Sequence, residues 1–397
     1  MKYCVLIIDG AAGWPIAGRG GKTCLELAET PNLDALAVGG TVGLVKTVPD
    51  GMEPSSACAC MSLLGYDPQL YYRGRATIEA LSMGVPVTEA EAVFRCNLVT
   101  VEEGVMKSYC AGHIATDEAT ELINVLNAKL GSDAVRFYPG VGYRHLLKLK
   151  GHEDSLLAVC TPPHDIPDKA IAAYLPRGTG SELLNKLMSA SRDILKKQPV
   201  NSARKLRGEK TADMIWLFWG SGRIPDMPSF RQVYGLSAAL TSGVDLMSGL
   251  GMMMGIDILE IPAITDGLDN DFRGQAEGTL NSLRDHDLVV IHIEAPDEAG
   301  HAGSIGNKVA AIQMIDKEVV NRLAAFQPGN LRLLVMPDHP TPIAKKTHVA
   351  EPVPFILWGP GFRSNGAIGF SEAEAGKTGI FVDKGYNIMA KLVVGNS

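Results

Sequence analysis

Unbroken apolar runs mark both ends of the chain, and each of them stops at polar, glycine or proline residues. Such runs indicate strands that are buried on both faces, which occur in sheets covered by helices on both sides. The runs are YCVLII (3–8), LVVIHIEA (288–295), LRLLVMPD (331–338) and PFILWG (354–359).

Helical patterns separate these runs. Residues 273–284 are rich in Gln, Ala and Glu, and residues 306–325 carry Val, Ile and Leu at helical spacing. Strands that alternate with helices predict a mostly parallel α/β sheet with helices on both faces. In such sheets, ligands bind beyond the carboxyl ends of the strands.

The middle of the chain has a different pattern. Between about residues 93 and 165, apolar and polar residues alternate in several segments around a helical stretch at 115–130. This pattern predicts an inserted α+β domain with its own sheet. We therefore expect a core formed by residues 1–85 and 232–397, and an inserted domain with its linkers at 86–231.

Composition and charge exclude several classes of function. The net charge of −7 and the absence of a basic block argue against a nucleic-acid partner. The longest apolar runs are too short for a membrane span, and the run at 3–8 is too short for a signal peptide. The seven cysteines lack paired CxxC spacing and are typical of a reducing compartment. The sequence thus predicts a cytoplasmic protein without a membrane partner, and leaves a homo-oligomer open.

Three aspartates lie at or just after the ends of apolar runs: Asp9, Asp297 and Asp338. Asp297 and His301 are four residues apart, so on a helical turn both side chains lie on one face and can bind one ion. A carboxylate with an imidazole suits Zn²⁺ or Mn²⁺ better than Mg²⁺ or Ca²⁺. The alternative is a surface pair in which Asp297 caps a helix.

A second candidate is the adjacent pair Asp338 and His339, which lies between two prolines. Adjacent side chains of a strand point apart, so both can serve one site only where the strand breaks into a loop, as the prolines ensure. A plain polar turn is the alternative. His348 lies in a loop before the next apolar run. Together, three aspartates and three histidines can hold two metal ions, an arrangement suited to phosphoryl transfer.

The segment EPSSACAC (53–60) offers four nucleophiles: Ser55, Ser56, Cys58 and Cys60. All four are also small residues that suit the start of a buried helix. A ligand set of aspartate and histidine favours serine, because a bound metal ion lowers the pKa of a hydroxyl and orients it. Cysteine prefers softer metal surroundings or a neighbouring histidine base. This reasoning leaves both serines open.

Several motifs resemble those of a known family. Asp9, TPNLDALA (30–37), PDEAGH (296–301), PDHPTP (337–342) and THVAEPVPF (347–355) are similar to motifs of the alkaline phosphatase superfamily. Specifically, they resemble the cofactor-independent phosphoglycerate mutases of the archaeal type. Further matches extend the resemblance over nearly the whole chain: LGYDP (64–68), IEALSMGV (78–85), FRCNLVT (94–100) and SGVDLMSGLG (242–251).

The resemblance implies an alkaline-phosphatase-like core that holds two divalent metal ions, with an inserted cap that closes over the substrate. Mn²⁺ is the expected metal, with Mg²⁺, Zn²⁺ or Co²⁺ as alternatives. Counting back from LGYDP places the nucleophile on Ser56, with Ser55 where the family usually has glycine. The ligands implied for one ion are Asp297, His301 and His348, and those for the other are Asp9, Ser56, Asp338 and His339.

The resemblance also implies the reaction. Ser56 would accept the phosphate of a small phosphorylated substrate, 3-phosphoglycerate, and return it to the other hydroxyl of the bound glycerate. No bisphosphoglycerate would be needed, because the phosphate is held on the protein. The expected activity is therefore that of an isomerase of glycolysis.

The inserted domain departs from the family pattern. His113 stands where archaeal-type mutases usually have an arginine, and histidine cannot reproduce the planar bidentate recognition of an anion by arginine. Arg223 matches an arginine of the family pattern. The other candidates for substrate binding in this domain are Arg144, His145, His164 and Asp165.

This departure keeps other functions open. The inserted domain resembles that of a bacterial subgroup with a proposed homoserine kinase role, which would use ATP and the same metals. His113 and Asp165 would suit a substrate that carries an ammonium group, although the sequence has no recognisable ATP-binding loop. A metal-dependent phosphomonoesterase is a further alternative, because water competes with glycerate for a phosphorylated serine.

Overall fold

The first strand, β1 (Lys2–Ile8), is buried from Tyr3 onward, which agrees with its unbroken apolar run. The structure is a computed structural model that describes residues 1–326 and 330–395. The chain divides into two units, Met1–Tyr72 with Asp226–Ser397, and Arg73–Pro225. The first unit is discontinuous in sequence, whereas the second is one continuous insertion.

The elements follow one another in three blocks. Before the insertion come β1, α1 (Cys24–Leu27), α2 (Pro31–Gly39), β2 (Thr41–Val45), α3 (Ser56–Leu63) and α4 (Pro68–Tyr71). The inserted unit contains α5 (Arg75–Ser82), β3 (Glu91–Glu102), β4 (Val105–Ser108), α6 (Thr116–Leu130), β5 (Val135–Tyr138), β6 (Arg144–Lys150), α7 (Ser181–Leu195), α8 (Pro199–Leu206) and β7 (Met214–Ser221).

The chain then returns to the first unit. Its elements are α9 (Phe230–Tyr234), β8 (Ala238–Thr241), α10 (Asp245–Met253), β9 (Asp257–Ile258), α11 (Phe272–Ser282), β10 (Leu288–Ile293), α12 (Ala295–His301), α13 (Ile305–Ile315), α14 (Asn321–Ala325), β11 (Leu331–Met336), β12 (Val353–Trp358), α15 (Glu372–Lys377), β13 (Phe381–Val382) and α16 (Ile388–Val394). A π-helical segment, Asp316–Val320, joins α13 to α14, and short 3-10 segments lie at Glu153–Leu157, Pro163–Asp165, Ile171–Tyr174 and Gly385–Asn387.

An eight-stranded sheet organises the first unit, in the order β13-β2-β12-β11-β1-β10-β8-β9. β1 pairs in parallel with both β10 and β11. Cys4, Leu6 and Ile8 face a core cluster that includes residues of α2, α11 and α13. Val5 and Ile7, which point to the other face, are equally buried. The predicted mostly parallel sheet, covered on both faces, is confirmed.

β12 is the exception to the parallel pattern, because it pairs antiparallel with both β11 and β2. Parallel neighbours need a crossover connection, usually a helix. The chain between β11 and β12 (337–352) has only turns, bends and a single bridge residue. The strand therefore returns directly, and this short connection carries several candidate ligands.

The inserted unit is an antiparallel sheet with helices. Its strands follow the order β4-β3-β6-β5, and β7 also pairs with β3. Residues of α6 and α7 join those of the strands in one hydrophobic cluster. The predicted α+β character and the helix expected at 115–130 are both confirmed, since α6 spans Thr116–Leu130.

The boundaries of the two units differ from the expected positions after residues 85 and 231. Ala76 and Ala80 of α5 form a cluster with Val93 and Leu146 of the inserted sheet, so α5 belongs to the inserted unit. The amide of Phe230 donates to the carbonyl of Met254 at 2.7 Å, which ties α9 to the first unit. Helix α5 overlaps a family motif in sequence, but its apolar contacts place it in the inserted unit.

No helix in the described ranges has the length and apolar character needed to cross a membrane.

Candidate metal centre

The carboxyl ends of β1, β10 and β11 bring the predicted acidic residues together. Asp9 follows β1, Asp338 follows β11, and Asp297 lies in the helix that begins after β10. Because the three strands are parallel neighbours, their ends lie at the same edge of the sheet. Gly10 has a φ of +60°, and a Cβ there would collide with the side chains of Asp297 and Thr341. Glycine is therefore required where the loops approach.

Asp297, His301 and His348 form one candidate group. Asp297 Oδ2 lies 3.0 Å from His301 Nε2 and 3.4 Å from His348 Nε2. The ligand atoms of all three residues lie within 4.8 Å of one another. The spacing of four residues on α12 places Asp297 and His301 on one face, as the sequence pattern indicates.

Asp9, Asp338 and His339 form the second group, again with ligand atoms within 4.8 Å. His339 Nε2 lies 3.2 Å from Asp338 Oδ2 and 3.7 Å from Asp9 Oδ1. The amide N–H groups of Gly10 and His339 donate to Asp338 Oδ1, at 3.1 and 2.8 Å. These two hydrogen bonds orient the carboxylate and leave Oδ2 on the side of His339.

Ser56 is the first residue of α3, and its Oγ lies 3.1 Å from His339 Nε2. Ser55 is the N-cap residue, and its side chain accepts a hydrogen bond from the amide of Cys58. The two serines therefore have different positions: Ser55 caps the helix, while Ser56 faces the acidic group. A helix N-terminus also favours an anion at Ser56.

The two cysteines of the same segment are buried thiols. Burial raises the pKa of Cys58 to about 12. Burial also raises the pKa of Cys60 well above its usual range, and the nearby Asp338 carboxylate raises it further. Neither side chain is a thiolate near neutral pH, so neither is activated as a nucleophile.

His292 and Glu294 are members of the site that the sequence pattern did not reveal. His292 Nε2 lies 2.7 Å from Asp9 Oδ2, and its Nδ1 lies 2.9 Å from Ser242 Oγ. The ligand atoms of Asp9, His292 and Glu294 also lie within 4.8 Å of one another. One signal was present: both residues are polar at the end of an apolar run. A histidine inside an apolar run is, however, equally typical of a buried structural residue.

Among the residues that the structure describes, the buried carboxyl groups of this region lack enough positive charge to balance them. Burial raises the pKa of Asp9 well above its usual range, and Asp338 and Glu294 raise it further. Burial, with the Asp297 charge next, raises the pKa of Glu294 to about 8. Asp9 Oδ1 and Glu294 Oε2 are buried without a hydrogen-bond partner. Across the described residues, histidines are the ion-pair partners of these carboxylates, and no lysine or arginine is.

Asp297 behaves differently because of its imidazole partners. Burial by itself would raise the pKa of Asp297, but hydrogen bonds with His301 and His348 hold it well below its usual range. Carboxylate oxygens with imidazole nitrogens are a donor set that suits divalent transition metals. The residues present therefore fit two divalent ions, one at each predicted group.

Several predicted substrate-binding residues gather in the inserted unit. The ring of Tyr143, the residue before Arg144, lies 6.3 Å from the ring of His113 and 5.4 Å from the Arg144 guanidinium. The ring of Tyr109 lies between those of Tyr143 and His164, at 5.9 and 6.3 Å. Aromatic contacts therefore connect His113, Arg144 and His164 on one part of the unit.

Two arginines that the sequence pattern did not single out join this cluster. Arg75 and Arg95 lie 5.3 and 5.5 Å from the ring of Trp219, whose own ring is 5.4 Å from that of His164. Both arginines also pair with Glu79, at 2.6 and 3.1 Å. Arg95 lies in the motif FRCNLVT (94–100), but no local pattern shows that it meets Arg75, because the two residues come from β3 and α5 and meet only in the folded unit.

Asp165 and Arg223 are the remaining candidates. The Asp165 carboxylate lies 3.8 Å from His164 Nε2, and both side chains are exposed. Arg223 lies 2.6 Å from the exposed carboxylate of Glu89.

The predicted role of His145 in substrate binding is not supported by its position. His145 is 1% exposed, and its Nδ1 accepts a hydrogen bond from the amide of Gly140 at 3.0 Å. Successive strand residues point to opposite faces, so His145 points away from the face that carries Arg144. Its environment indicates a structural role.

An α/β sheet with carboxylates and imidazoles clustered at the carboxyl ends of its strands is typical of a metal-dependent enzyme. Comparisons with known proteins identify the family. The family model of 2,3-bisphosphoglycerate-independent phosphoglycerate mutase matches residues 37–201. A mutase of that name from Methanosarcina acetivorans is 44% identical over 382 residues, which cover 96% of each chain. A probable mutase from Geobacter sulfurreducens is 42% identical over 400 residues, covering 99% of this chain and all of that one.

Solved structures agree with this result. The cofactor-independent phosphoglycerate mutase from Thermoplasma acidophilum is 25% identical, covers both chains completely and has a TM-score of 0.66. A protein from Pyrococcus horikoshii shares the fold, with a TM-score of 0.84 at 24% identity over 99% of this chain and 96% of that one. The chain belongs to the 2,3-bisphosphoglycerate-independent phosphoglycerate mutase family, and the resemblance found in its motifs is confirmed.

The buried imidazole of His145 generates a prediction about acid stability. Burial lowers the pKa of His145 to about 3, whereas an unfolded histidine has a pKa near 6.5. The unfolded state alone takes up this proton, so the contribution is complete above about pH 6.5 and is lost by about 1.4 kcal/mol per unit as the pH falls. We expect His145→Asn, which retains an acceptor for Gly140, to remove this part of the pH dependence.

Urea unfolding of the wild type and the variant at pH 7.5, 6.0 and 5.0 measures the effect. His152→Asn, on a loop of the same unit, is the matched control and should keep the wild-type slope. An equal slope in the wild type and in His145→Asn would contradict the assignment.

Proposed function

We propose that the protein interconverts 3- and 2-phosphoglycerate through a phosphoserine on Ser56, without bisphosphoglycerate. One observation carries the proposal: Ser56 Oγ lies 3.1 Å from His339 Nε2, beside the buried group of Asp9, Asp338 and His339. A hydroxyl at this position has a helix N-terminus on one side and the candidate metal centre on the other.

In the proposed reaction, Ser56 Oγ gives up its proton and forms a bond to phosphorus while the bond from phosphorus to the substrate oxygen breaks. The glycerate oxygen gains a proton and glycerate stays bound. Its other hydroxyl then attacks the phosphoserine, loses its proton and releases the Ser56 oxygen, which takes up a proton and becomes a hydroxyl again. The two steps are chemically equivalent, so one set of residues can serve both directions.

The proposed ligands are those of the two groups: Asp297, His301 and His348 for one ion, and Asp9, Ser56, Asp338 and His339 for the other. We propose Mn²⁺ as the metal, with Mg²⁺, Zn²⁺ or Co²⁺ as alternatives. Bound divalent ions supply charge that lowers the pKa of the serine hydroxyl and neutralises the phosphoryl oxygens. His292 then acts on Asp9 from outside the ligand set and fixes the orientation of its carboxylate.

We assign recognition of the substrate's anionic groups to the cluster around Trp219. Burial lowers the pKa of Arg95 to about 10, but the guanidinium stays charged near neutral pH. Burial by itself would raise the pKa of Glu79, but the positive charges of Arg95, Arg75 and Arg144 hold it below its usual value. One carboxylate thus faces several guanidiniums, which favours a further anion. His113, His164, Asp165 and Arg223 remain proposed contributors.

Nothing in the comparisons favours the kinase alternative or the phosphomonoesterase. All seven cysteines are free thiols, which supports the proposed cytoplasmic location of an enzyme of glycolysis.

The activity assay follows directly. With Mn²⁺ and 3-phosphoglycerate, and without bisphosphoglycerate, we expect the purified protein to form 2-phosphoglycerate. Ser56→Ala should abolish both the activity and the phosphoserine, because it removes the attacking oxygen. Ser55→Ala is the matched control: it removes a helix cap worth about 1 kcal/mol of stability but should still form the phosphoserine, detected by mass spectrometry. Phosphorylation of homoserine by ATP without mutase activity would contradict the proposal.

The metal centre predicts a stoichiometry. After reloading with Mn²⁺ and dialysis, the wild type should retain about two ions per chain. Asp297→Asn should retain about one, because it disables the group with His301 and His348 and leaves the other group intact. Glu318→Gln, which alters a carboxylate that pairs with Arg322 at 2.9 Å, is the control and should retain the wild-type content. Metal analysis that finds fewer than about one ion in the wild type would contradict the two-metal site.

The arginine cluster predicts a change in substrate affinity. Arg95→Met removes a charged donor and keeps an apolar stem against Trp219, so we expect the KM for 3-phosphoglycerate to rise about 10- to 100-fold. Arg136→Met is the matched control, because Arg136 also lies over an aromatic ring, that of Tyr138 at 5.3 Å. A folded Arg95→Met variant with the wild-type KM would contradict the assignment.

A further inference from the structure

A buried lysine beside the candidate metal centre has no part in the proposed chemistry. Lys308 lies in the first turn of α13 and is 0% exposed. Its Nζ donates to the carbonyl oxygens of Thr341 at 2.7 Å and Ala12 at 3.1 Å. In the described part of the chain, Lys308 forms no ion pair within 4.0 Å of a carboxylate. Within the described residues, these two backbone carbonyls are therefore the hydrogen-bond partners of its ammonium.

These two carbonyls belong to the loops that carry the ligands. Ala12 lies in the loop after β1, three residues beyond Asp9, and Thr341 lies in the loop after β11, two residues beyond His339. The Thr341 amide donates to the same Ala12 carbonyl at 3.0 Å, and Pro340 forms isolated bridges with this segment. Lys308 thus contacts both loops where they meet.

The meeting point is connected to the ligands themselves. The Thr341 hydroxyl donates a short hydrogen bond to Asp297 Oδ1 and lies 3.3 Å from His339 Nδ1. The Gly10 amide of the first loop donates to Asp338 Oδ1 at 3.1 Å. A shift between the two loops would therefore change the relative positions of ligands from both groups.

Packing does not require a lysine at this position. Burial of an ammonium is costly unless it is compensated, and burial lowers the pKa of Lys308 below its usual value. Methionine has a similar length and could fill the same space without that cost. The charge and the donors of Lys308 therefore have a role beyond filling volume.

We propose that Lys308 is a positioning residue that holds the loops after β1 and β11 together, so that Asp9, Asp338 and Asp297 keep their metal-binding geometry. This inference rests on the metal centre of the proposed function. It adds a residue that touches neither a metal ion nor the substrate.

The test compares Lys308→Met, which removes the charge and the donors, with Lys308→Arg, which keeps both. Lys317→Met is the matched control, because Lys317 follows in the π-helical segment and its side chain is 74% exposed. Circular dichroism checks folding, and calorimetry measures the affinity for Mn²⁺. Enzyme assays with 3-phosphoglycerate give kcat and KM. We expect Lys308→Met to bind Mn²⁺ about 10- to 100-fold more weakly and to lose about as much in kcat, with little change in KM. Lys308→Arg should recover part of both losses.

The outcomes separate this inference from the proposed function. If the wild type binds no Mn²⁺ or lacks mutase activity, the proposed function fails first. If the wild type is active and folded Lys308→Met keeps its Mn²⁺ affinity and kcat, Lys308 is not a positioning residue. If Lys308→Met does not fold, Lys308→Gln gives the same comparison with an uncharged donor. Failure of both uncharged variants to fold, while Lys308→Arg folds with wild-type Mn²⁺ affinity, would assign Lys308 to folding and overturn the inference.

Discussion

Mutual repulsion among buried carboxylates is the constraint on which the rest of this structure depends. Asp9, Asp297 and Asp338 are at most 2% exposed, and Glu294 lies beside them. Water does not screen charges in such a place, so their repulsion is strong. Histidines offset part of it, and the divalent cations that we propose for the two groups would offset the rest. A site that is unfavourable for the protein alone would therefore become favourable once metal is bound.

The sheet brings these charged residues together from distant parts of the sequence. β1 is central, and the register pairs Ile8 with Ile293 and Ile7 with Met336. Strands paired in this way end at nearly the same level. The next residues of all three strands then enter one volume, although β1 lies hundreds of positions before β10 and β11 in the sequence. The register of three apolar strands is thus also the geometry of the polar site.

The sequence predicts those features of the site that depend on local patterns. Apolar runs mark the strands, and the spacing of four residues places Asp297 with His301, because both effects act within a few residues. Features that depend on distant contacts are missed. His292 inside an apolar run gives no sign that Asp9 lies opposite, and Arg75 meets Arg95 only across α5 and β3. The predicted boundary of the inserted unit differs from the observed one for the same reason, since the apolar face of α5 does not show which sheet it covers.

The discontinuity of the first unit also has a consequence for how the protein is made. Asp9 and Ser56 leave the ribosome early, but Asp297, Asp338 and the strands β10 and β11 follow only after the whole inserted unit. The inserted unit is continuous from Arg73 to Pro225, so it can fold while the first 72 residues still lack the neighbours of β1. During that interval the apolar strand β1 is a segment at risk of aggregation. The order of the segments along the chain therefore makes β1 the segment that most needs protection from aggregation during synthesis.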